Sequence, residues 1–179
     1  MRLFIAINFS EPSRRALLEA RERLRGFTGG RGGFTQDTNL HLTLAFLDEV
    51  EQGRAKAAEE AMRAAQGRSF TLVIDRAGRF PREGGDIWWA GSSSAPALAA
   101  YQRRLVRELT QRGFELEKRR FYPHITLARR VPNVLPPDTR LLERPVIERV
   151  EAASLMRSEL GRGAPNYTEL ARVEFDAGT

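Results

Sequence analysis

Two short stretches of the chain share one order of residue types: His41–Leu44 and His124–Leu127. Each reads histidine, apolar residue, threonine, leucine, and together they contain both histidines of the sequence. Because threonine makes up roughly one residue in twenty, a threonine two positions after both histidines is a chance event of about one in 400. The repeated pattern therefore indicates that the two histidines act as a pair.

The spacing within each stretch has a structural meaning. Both stretches lie in runs that favour a β-strand, and side chains two positions apart in a strand point to the same face. His41 and Thr43 are therefore predicted to face one way, while Leu42 and Leu44 face the other way, into a core. The second motif repeats this arrangement, so two neighbouring motif strands would line one cleft with two imidazoles and two hydroxyls.

The residues alone leave four interpretations of the histidine pair open. The first is two core histidines with satisfied hydrogen bonds. The second is a metal site, but a catalytic zinc usually takes three protein ligands, and nothing pairs the nearest further candidates, Asp37 and Asp48, with His124. The third is a threonine or serine nucleophile, which needs one base aimed at it and a third group that orients the base. A symmetric pair of motifs does not have that form.

The fourth interpretation is acid–base catalysis on a phosphodiester. One neutral imidazole takes a proton from water while one imidazolium gives a proton to the leaving oxygen, and both forms of histidine exist near neutral pH. The hydroxyls of Thr43 and Thr126 would donate hydrogen bonds to the non-bridging phosphate oxygens, where negative charge develops.

Composition narrows the class of protein. The 179 residues can bury a sizeable core, and we expect residues 1–179 to form a single domain of two similar lobes. Cysteine is absent, which excludes disulfides and thiolate sites. Without a long apolar run or a secretory leader, a cytoplasmic location is expected. The net charge of +6 suits a polyanion such as RNA, although the excess of arginine over lysine also fits a GC-rich genome or a hot habitat.

Periodicity and turn signals predict an α+β protein with the order β-α-β-α-β-β-α-β-β-β. Helices are expected to begin at Ser10, at Asp48 or Glu49, and at Ser94, and each is followed by a glycine. The segments 70–74 and 87–90 are expected to pair as a hairpin. The predicted strands are residues 2–9, 39–47, 70–74, 87–90, 121–129, 147–156 and 167–175.

Two His-x-Thr-x motifs in a chain of this size resemble the two-histidine (2H) phosphoesterase superfamily. Within it, the chain resembles the RNA 2′,3′-cyclic phosphodiesterases, also known as 2′-5′ RNA ligases. The resemblance covers nearly the whole chain and is specific because it includes both motifs in their contexts. It rests on the opening strand Leu3–Ile7, the first motif with its exit (Asn39–Val50), the second motif (Phe121–Arg129), and the closing strands from Ser154–Met156 through Tyr167.

The resemblance implies a bilobal α+β fold with pseudo-twofold symmetry, two antiparallel or mixed sheets, helices on the outside and both motifs in a central cleft. It implies hydrolysis of a terminal RNA 2′,3′-cyclic phosphate to a 2′-phosphomonoester, without a metal or nucleotide cofactor. His41 resembles the proton donor, His124 the proton acceptor, and Thr43 and Thr126 the phosphate ligands. The expected partner is RNA with 2′,3′-cyclic phosphate ends, tRNA fragments included, bound by a monomer away from membranes.

Other functions of the same motifs stay open at the level of sequence. The reverse reaction would join a cyclic phosphate end to a 5′-hydroxyl in a 2′-5′ link without ATP. Small cyclic nucleotides or 2′-5′ oligoadenylates would need the same phosphate chemistry with a different base pocket. A nucleotide-binding module without catalysis is a further class, although both histidines are intact.

Strict alternation makes two further predictions about the motif strands. Arg130 shares the parity of His124 and Thr126, so it is the candidate for an extra phosphate contact, against the alternative of a solvated surface arginine. Arg129 is expected to point away from the cleft. By the same rule, Phe46 shares the core face of Leu44 and is expected to pack in the core.

Overall fold

The computed structural model describes residues 1–177, which form three helices and ten strands. Short 3₁₀ turns at Asp37–Asn39 and Gln52–Arg54 precede a strand and a helix respectively. The helices are α1 (Glu11–Phe27), α2 (Ala55–Ala64) and α3 (Pro96–Gln111). The strands are β1 (Arg2–Asn8), β2 (Gly33–Phe34), β3 (His41–Glu49), β4 (Phe70–Ile74), β5 (Arg76–Phe80), β6 (Asp86–Gly91), β7 (His124–Val131), β8 (Val146–Val150), β9 (Ala152–Glu159) and β10 (Asn166–Glu174).

The strands form two four-stranded antiparallel sheets and one two-stranded ribbon. The first sheet has the order β10-β9-β1-β3, the second has the order β2-β7-β6-β5, and β4 pairs with β8. His41 is the first residue of β3, and His124 is the first residue of β7. Since β3 and β7 pack against each other, the two motifs meet where the sheets adjoin. The predicted α+β fold, with one motif strand in each of two similar sheets, is confirmed.

The helices cover these sheets through apolar faces with helical spacing. Helix α1 packs on β7 and β8 and buries Leu17, Ala20 and Leu24, three residues that recur on one face of a helix. Helices α2 and α3 pack on each other and on the first sheet, where Leu98 and Leu105 are fully buried. No helix within residues 1–177 is both long and apolar enough to span a membrane.

The exit from the first motif strand differs from the prediction. We expected a helix to begin at Asp48 or Glu49, but β3 continues to Glu49, which pairs with Arg2 of β1. The chain stays attached to the sheet one residue further, because the amide of Val50 donates to the carbonyl of Met1 at 2.7 Å. Helix α2 begins only at Ala55, after a 3₁₀ turn.

Three strand assignments also need correction. Residues 87–90 belong to β6, whose hairpin partner is β5; the expected partner β4 pairs with β8 instead. Strand β5 has the polar sequence Arg76–Phe80 and gave no strand signal. The predicted single strand 147–156 is divided at Glu151 into β8 and β9, which lie in different sheets.

Candidate active site

A backbone hydrogen bond fixes the orientation of His41. Its Nδ1 lies 2.7 Å from the carbonyl oxygen of Asn39, and its Nε2 lies 3.0 Å from the hydroxyl oxygen of Thr43. A carbonyl oxygen can only accept, so Nδ1 carries the proton and donates it. In the neutral ring Nε2 is therefore the acceptor, and it is the nitrogen available for proton transfer.

His124 is held in the same way. Its Nδ1 donates to the carbonyl oxygen of Tyr122, again two residues earlier in the chain and again at 2.7 Å. Both histidines therefore have the same tautomer when neutral, with Nε2 free of the backbone. This geometry extends the resemblance between the motifs beyond the four residues that identified them.

Aromatic rings contact each imidazole. His41 contacts Phe4, with ring centroids 4.9 Å apart, and Tyr167, with centroids 5.2 Å apart and the rings perpendicular. His124 has an edge contact with Phe80 at 5.1 Å. Burial also raises the pKa of Tyr167, which keeps its phenol protonated. These contacts limit rotation of the imidazoles and remove water from one side of each.

Burial lowers the pKa of both His41 and His124 below the ordinary value of 6.5. The hydrogen bonds from Nδ1 to the backbone act in the opposite direction, because they favour the charged ring. The positive charge of Arg129 lowers the pKa of both histidines further, and the charge of His124 lowers that of His41. The two imidazoles and Arg129 therefore form one electrostatic unit.

A β-bulge follows the motif threonine in both strands. The pairing of β3 with β1 skips Leu44, and the pairing of β7 with β6 skips Leu127. A bulge places two residues of one strand opposite one residue of its partner, so the alternation of side chains is displaced beyond it. The face that a residue occupies after Leu44 or Leu127 therefore cannot be obtained by counting in twos from the histidine.

The bulges bring Phe46 and Arg129 to the cleft. Both side chains line a cavity of about 480 Å³ that also contains Thr43 and His124. Phe46 is 52% exposed, so the prediction that it packs in the core is wrong. The prediction that Arg129 points away from the cleft is wrong for the same reason.

Arg130, the predicted phosphate contact, lies elsewhere. A second register shift separates the pairs Asp86–Val131 and Trp88–Ala128, and Arg130 has a left-handed φ of 53°. Its guanidinium extends along β2, where Nη2 lies 3.0 Å from the position of a Cβ on Gly33. Of the two adjacent arginines, Arg129 lines the cavity and Arg130 does not.

Thr126 precedes the bulge in β7, so its predicted position on the same face as His124 is not displaced by it. Thr126 is half-buried on β7. The Thr35 hydroxyl donates to the Thr126 carbonyl at 2.9 Å, and the Thr35 amide donates to the carbonyl of Leu127, so Thr35 holds the backbone at both residues. Thr43 lines the cavity directly. The two predicted histidines and two predicted threonines thus lie on the two strands that meet at the cleft.

Sequence reasoning missed the residues that hold the first motif in place. Arg21 of α1 is buried, and its Nη1 donates to the carbonyl of Thr35 at 2.6 Å and to the carboxylate of Asp37 at 2.7 Å. Asn39 is also buried, and its amide donates to the carbonyl of Pro165 at 2.8 Å. Polar residues next to the motif, such as Asp37 and Asn39, are the signal that could have indicated this support.

The structure also bears on the acidic residues considered as metal ligands. Asp37 pairs with Arg21, and Asp48 lies at the exposed end of β3. Within residues 1–177, no group of three or more histidine, cysteine, aspartate or glutamate side chains is arranged to hold a metal ion.

Comparison with known proteins agrees with this geometry. The sequence model of the 2′-5′ RNA ligase superfamily matches residues 12–160. A Thermotoga maritima protein named RNA 2′,3′-cyclic phosphodiesterase is 32% identical, with 99% of this chain and 97% of the relative aligned. A Thermus thermophilus protein of the same name is 36% identical, with 98% of this chain and 90% of the relative aligned.

A solved structure shows the same fold. The crystal structure of Escherichia coli LigT complexed with 3′-AMP is similar with a TM-score of 0.81 and 30% identity, over 97% of each chain. The match of the superfamily model and the identity to full-length relatives lead to one conclusion. The chain belongs to the 2′-5′ RNA ligase superfamily of 2H phosphoesterases.

Proposed function

We propose that this protein hydrolyses the terminal 2′,3′-cyclic phosphate of RNA to a 2′-phosphomonoester, with His41 and His124 as its acid and base. The activity itself follows from the family: the chain is an enzyme of the RNA 2′,3′-cyclic phosphodiesterase class, as its full-length relatives are named. The observation that carries the mechanism is the matched pair of histidines. Each donates from Nδ1 to a backbone carbonyl two residues earlier, which leaves both Nε2 atoms free of the backbone, and in His41 the Nε2 atom faces the motif threonine.

The reaction needs one neutral and one charged histidine. The neutral histidine removes a proton from water as the water oxygen bonds to phosphorus, and the charged histidine gives its proton to the leaving ribose oxygen. The two oxygens lie on opposite sides of phosphorus in an in-line displacement. Following the family resemblance, we assign His41 as the proton donor, His124 as the acceptor and the 3′ oxygen as the leaving group. The product then keeps its phosphate on the 2′ oxygen.

The negative charge that develops on the non-bridging oxygens needs donors. We assign this role to the hydroxyls of Thr43 and Thr126 and to the guanidinium of Arg129. Arg129 replaces Arg130 as the candidate for the phosphate contact, because Arg129 lines the cavity with His124 and acts electrostatically on both histidines. No metal or nucleotide cofactor enters this scheme.

Substrate binding would create the charged histidine. In the free protein, burial and Arg129 favour the neutral form of both rings. A bound phosphodiester brings a negative charge next to the imidazoles, and an adjacent negative charge raises the pKa of a histidine. The substrate therefore promotes protonation of the histidine that must act as the acid.

Phosphorus NMR of the product tests the proposed reaction. We expect a dinucleotide with a 2′,3′-cyclic phosphate end to be converted to the 2′-phosphate, identified against authentic 2′ and 3′ nucleotides. A 3′-phosphate product would show that the ribose binds the other way round and would reject the assignment of the leaving group. Absence of turnover on cyclic-phosphate RNA would reject the proposed function.

The same residues support ATP-independent ligation. A 5′-hydroxyl in the place of water would give its proton to the basic histidine and attack the cyclic phosphate, while the 3′ oxygen leaves with the proton of the acidic histidine; the product is a 2′-5′ link. We also propose that the enzyme acts in the cytoplasm, as a monomer, on RNA with cyclic phosphate ends, including tRNA fragments. Incubation with cyclic-phosphate and 5′-hydroxyl RNA, followed by separation of the joined product, tests ligation.

A further inference from the structure

The cavity that contains His124 and Arg129 extends beyond the space that a phosphate needs. At about 480 Å³ it is within the range of pockets that hold whole nucleotides. It extends from the motif strands to the hairpin β5–β6 and to segment 114–123, the stretch between α3 and β7. Three arginines line this outer part: Arg82, Arg119 and Arg120. We refer to these three residues as the arginine rim.

The arginine rim carries more positive charge than its neighbours neutralise. Arg120 has no ion pair or hydrogen bond to another part of residues 1–177, and within the same residues the guanidinium of Arg82 donates only to the backbone carbonyl of Pro81. Arg119 pairs with Glu117 through Nε, yet its side chain remains 76% exposed. By contrast, the buried guanidinium of Arg21 is held by both the carboxylate of Asp37 and the carbonyl of Thr35.

Exposed aromatic rings accompany these charges. Tyr122 is 45% exposed, Phe46 is 52% exposed, and both line the cavity with Phe80. The guanidinium of Arg82 lies over the ring of Phe80, 5.7 Å from its centroid. Positive charge that follows a phosphate backbone, combined with aromatic surfaces for the bases, is the usual way in which proteins bind single-stranded nucleic acid.

We propose that the arginine rim binds backbone phosphates of the RNA strand on the 5′ side of the terminal nucleotide. The inference rests on the proposed function, because it takes the position of the cyclic phosphate between His41 and His124 as given. A 2′,3′-cyclic phosphate lies at the 3′ end of its strand, so the rest of the RNA can continue only in the 5′ direction. The cavity that holds Arg82, Arg119 and Arg120 is also lined by Thr43, His124 and Arg129, so a strand that leaves the phosphate along this cavity meets the arginine rim.

The test compares two substrates with the same terminal nucleoside. One is a nucleoside 2′,3′-cyclic monophosphate, and the other is an RNA hexanucleotide that ends in the 2′,3′-cyclic phosphate. For the wild-type enzyme, we expect kcat/KM to be higher for the hexanucleotide and to fall more steeply with salt. Each phosphate contact on a single strand contributes a slope of about −0.7 on a log–log plot against salt concentration.

The double variant Arg119→Gln/Arg120→Gln is expected to lose this preference. The ratio of hexanucleotide to mononucleotide kcat/KM should fall by about tenfold at low salt, and the salt slope for the hexanucleotide should flatten by about 1.4. The matched control is Arg103→Gln/Arg107→Gln, which removes the same charge from exposed positions of α3. The control is expected to keep the wild-type ratio and slope.

The outcomes separate this inference from the proposed function. An equal ratio in the wild type and the rim variant, or the same loss in the control variant, would overturn the role of the arginine rim. If the wild type hydrolyses the mononucleotide and the hexanucleotide with equal efficiency at low salt, the phosphodiesterase activity stands and the rim proposal fails. If the wild type hydrolyses neither substrate, the proposed function fails first.

Discussion

Phe46 and Arg129 occupy equivalent positions in the two motif strands. Each lies five residues after its motif histidine, each follows a β-bulge, and both side chains line the same cavity. One motif strand thus supplies an aromatic ring and the other a guanidinium at the same point of the backbone pattern. The matched strands hold the two histidines in the same way, while the two residues after the bulges make the cleft asymmetric.

We expect His41→Ala and His124→Ala each to reduce turnover of cyclic-phosphate RNA by roughly 100-fold or more, the usual contribution of a positioned acid or base. Steady-state kinetics on a cyclic-phosphate dinucleotide measures this loss. Circular dichroism of each variant serves as the control for folding. A folded variant with nearly normal turnover would show that its histidine is structural and that the paired scheme is wrong.

A second prediction compares the two adjacent arginines. Arg129→Gln should lower kcat/KM by about 10- to 100-fold, because it removes a donor to the charge that develops on the phosphate. Arg130→Gln makes the same chemical change one residue away, beside Gly33, and should stay within about threefold of the wild type. A larger effect of Arg130→Gln would restore the parity argument and contradict the assignment of Arg129.

The bulges mark the limit of what this sequence could predict. Alternation placed His41 and Thr43 together on one face, because the pairing of β1 and β3 is regular up to Thr43. It failed for Phe46, because the unpaired Leu44 displaces the side chains between it and the next register shift. The sequence indicates each bulge in one way: two successive apolar residues, leucine then alanine, follow each motif threonine. Both residues of each pair are buried: Leu44 and Ala45 in β3, Leu127 and Ala128 in β7.

Contacts between distant parts of the chain were harder to predict from the sequence than the motif strands. Strand β5 is polar, so hydrophobic periodicity could not reveal it. Strands β8 and β9 are separate because β8 pairs with β4 while β9 joins the sheet of β1. The local sequence does not show which strand each of them will pair with. Arg21 reaches Thr35 and Asp37 only because α1 packs on the second sheet. The motif residues could thus be predicted from short stretches of sequence. The residues that position them contact the motifs only in the folded protein, so they could not be predicted in that way.

The pH dependence of kcat/KM should reflect the lowered pKa values of the histidines. Burial favours the neutral rings, so the acid histidine loses its proton at a lower pH than an ordinary histidine would, and the base stays unprotonated to a lower pH. We therefore expect a bell-shaped profile of kcat/KM whose maximum lies on the acid side of neutrality. The apparent pKa values of its acidic and basic limbs belong to the coupled pair of histidines, and neither value belongs to one residue alone.

The variant Arg129→Gln provides the control for this explanation. Arg129 lowers the pKa of both histidines, so removal of its charge should raise both values and move the whole profile to higher pH. Arg130→Gln is the matched comparison. A profile for Arg129→Gln that coincides with that of the wild type would contradict the electrostatic coupling between Arg129 and the imidazoles.

Activity should persist in excess chelator. A catalytic zinc usually takes three protein ligands, whereas this chain has two histidines and no cysteine, and Asp37 is engaged by Arg21. Turnover of a cyclic-phosphate dinucleotide before and after treatment with EDTA measures this directly. Loss of activity in EDTA that zinc or manganese restores would contradict the metal-independent scheme.

The last prediction concerns Arg21, which joins the supports of both motif strands. Its Nη1 donates to the carbonyl of Thr35, which pairs with the second motif strand, and to Asp37, which lies in the turn before His41. Arg21→Met should remove a charged donor from the half-buried Thr35 carbonyl, at a cost of about 1–3 kcal/mol. For a protein of this size, that corresponds to a fall in Tm of roughly 3–10 °C.

Arg21→Met should also lower kcat on cyclic-phosphate RNA, because the two motif strands lose a shared anchor that keeps their side chains in register across the cleft. Arg15→Met, on an exposed position of α1 with a 3.9 Å ion pair to Glu11, is the matched control and should change Tm by about 1 °C or less. Thermal unfolding and steady-state kinetics at a temperature where all variants are folded separate the two effects. A kcat for folded Arg21→Met equal to that of Arg15→Met would restrict Arg21 to stability and remove it from the positioning of His41 and Thr126.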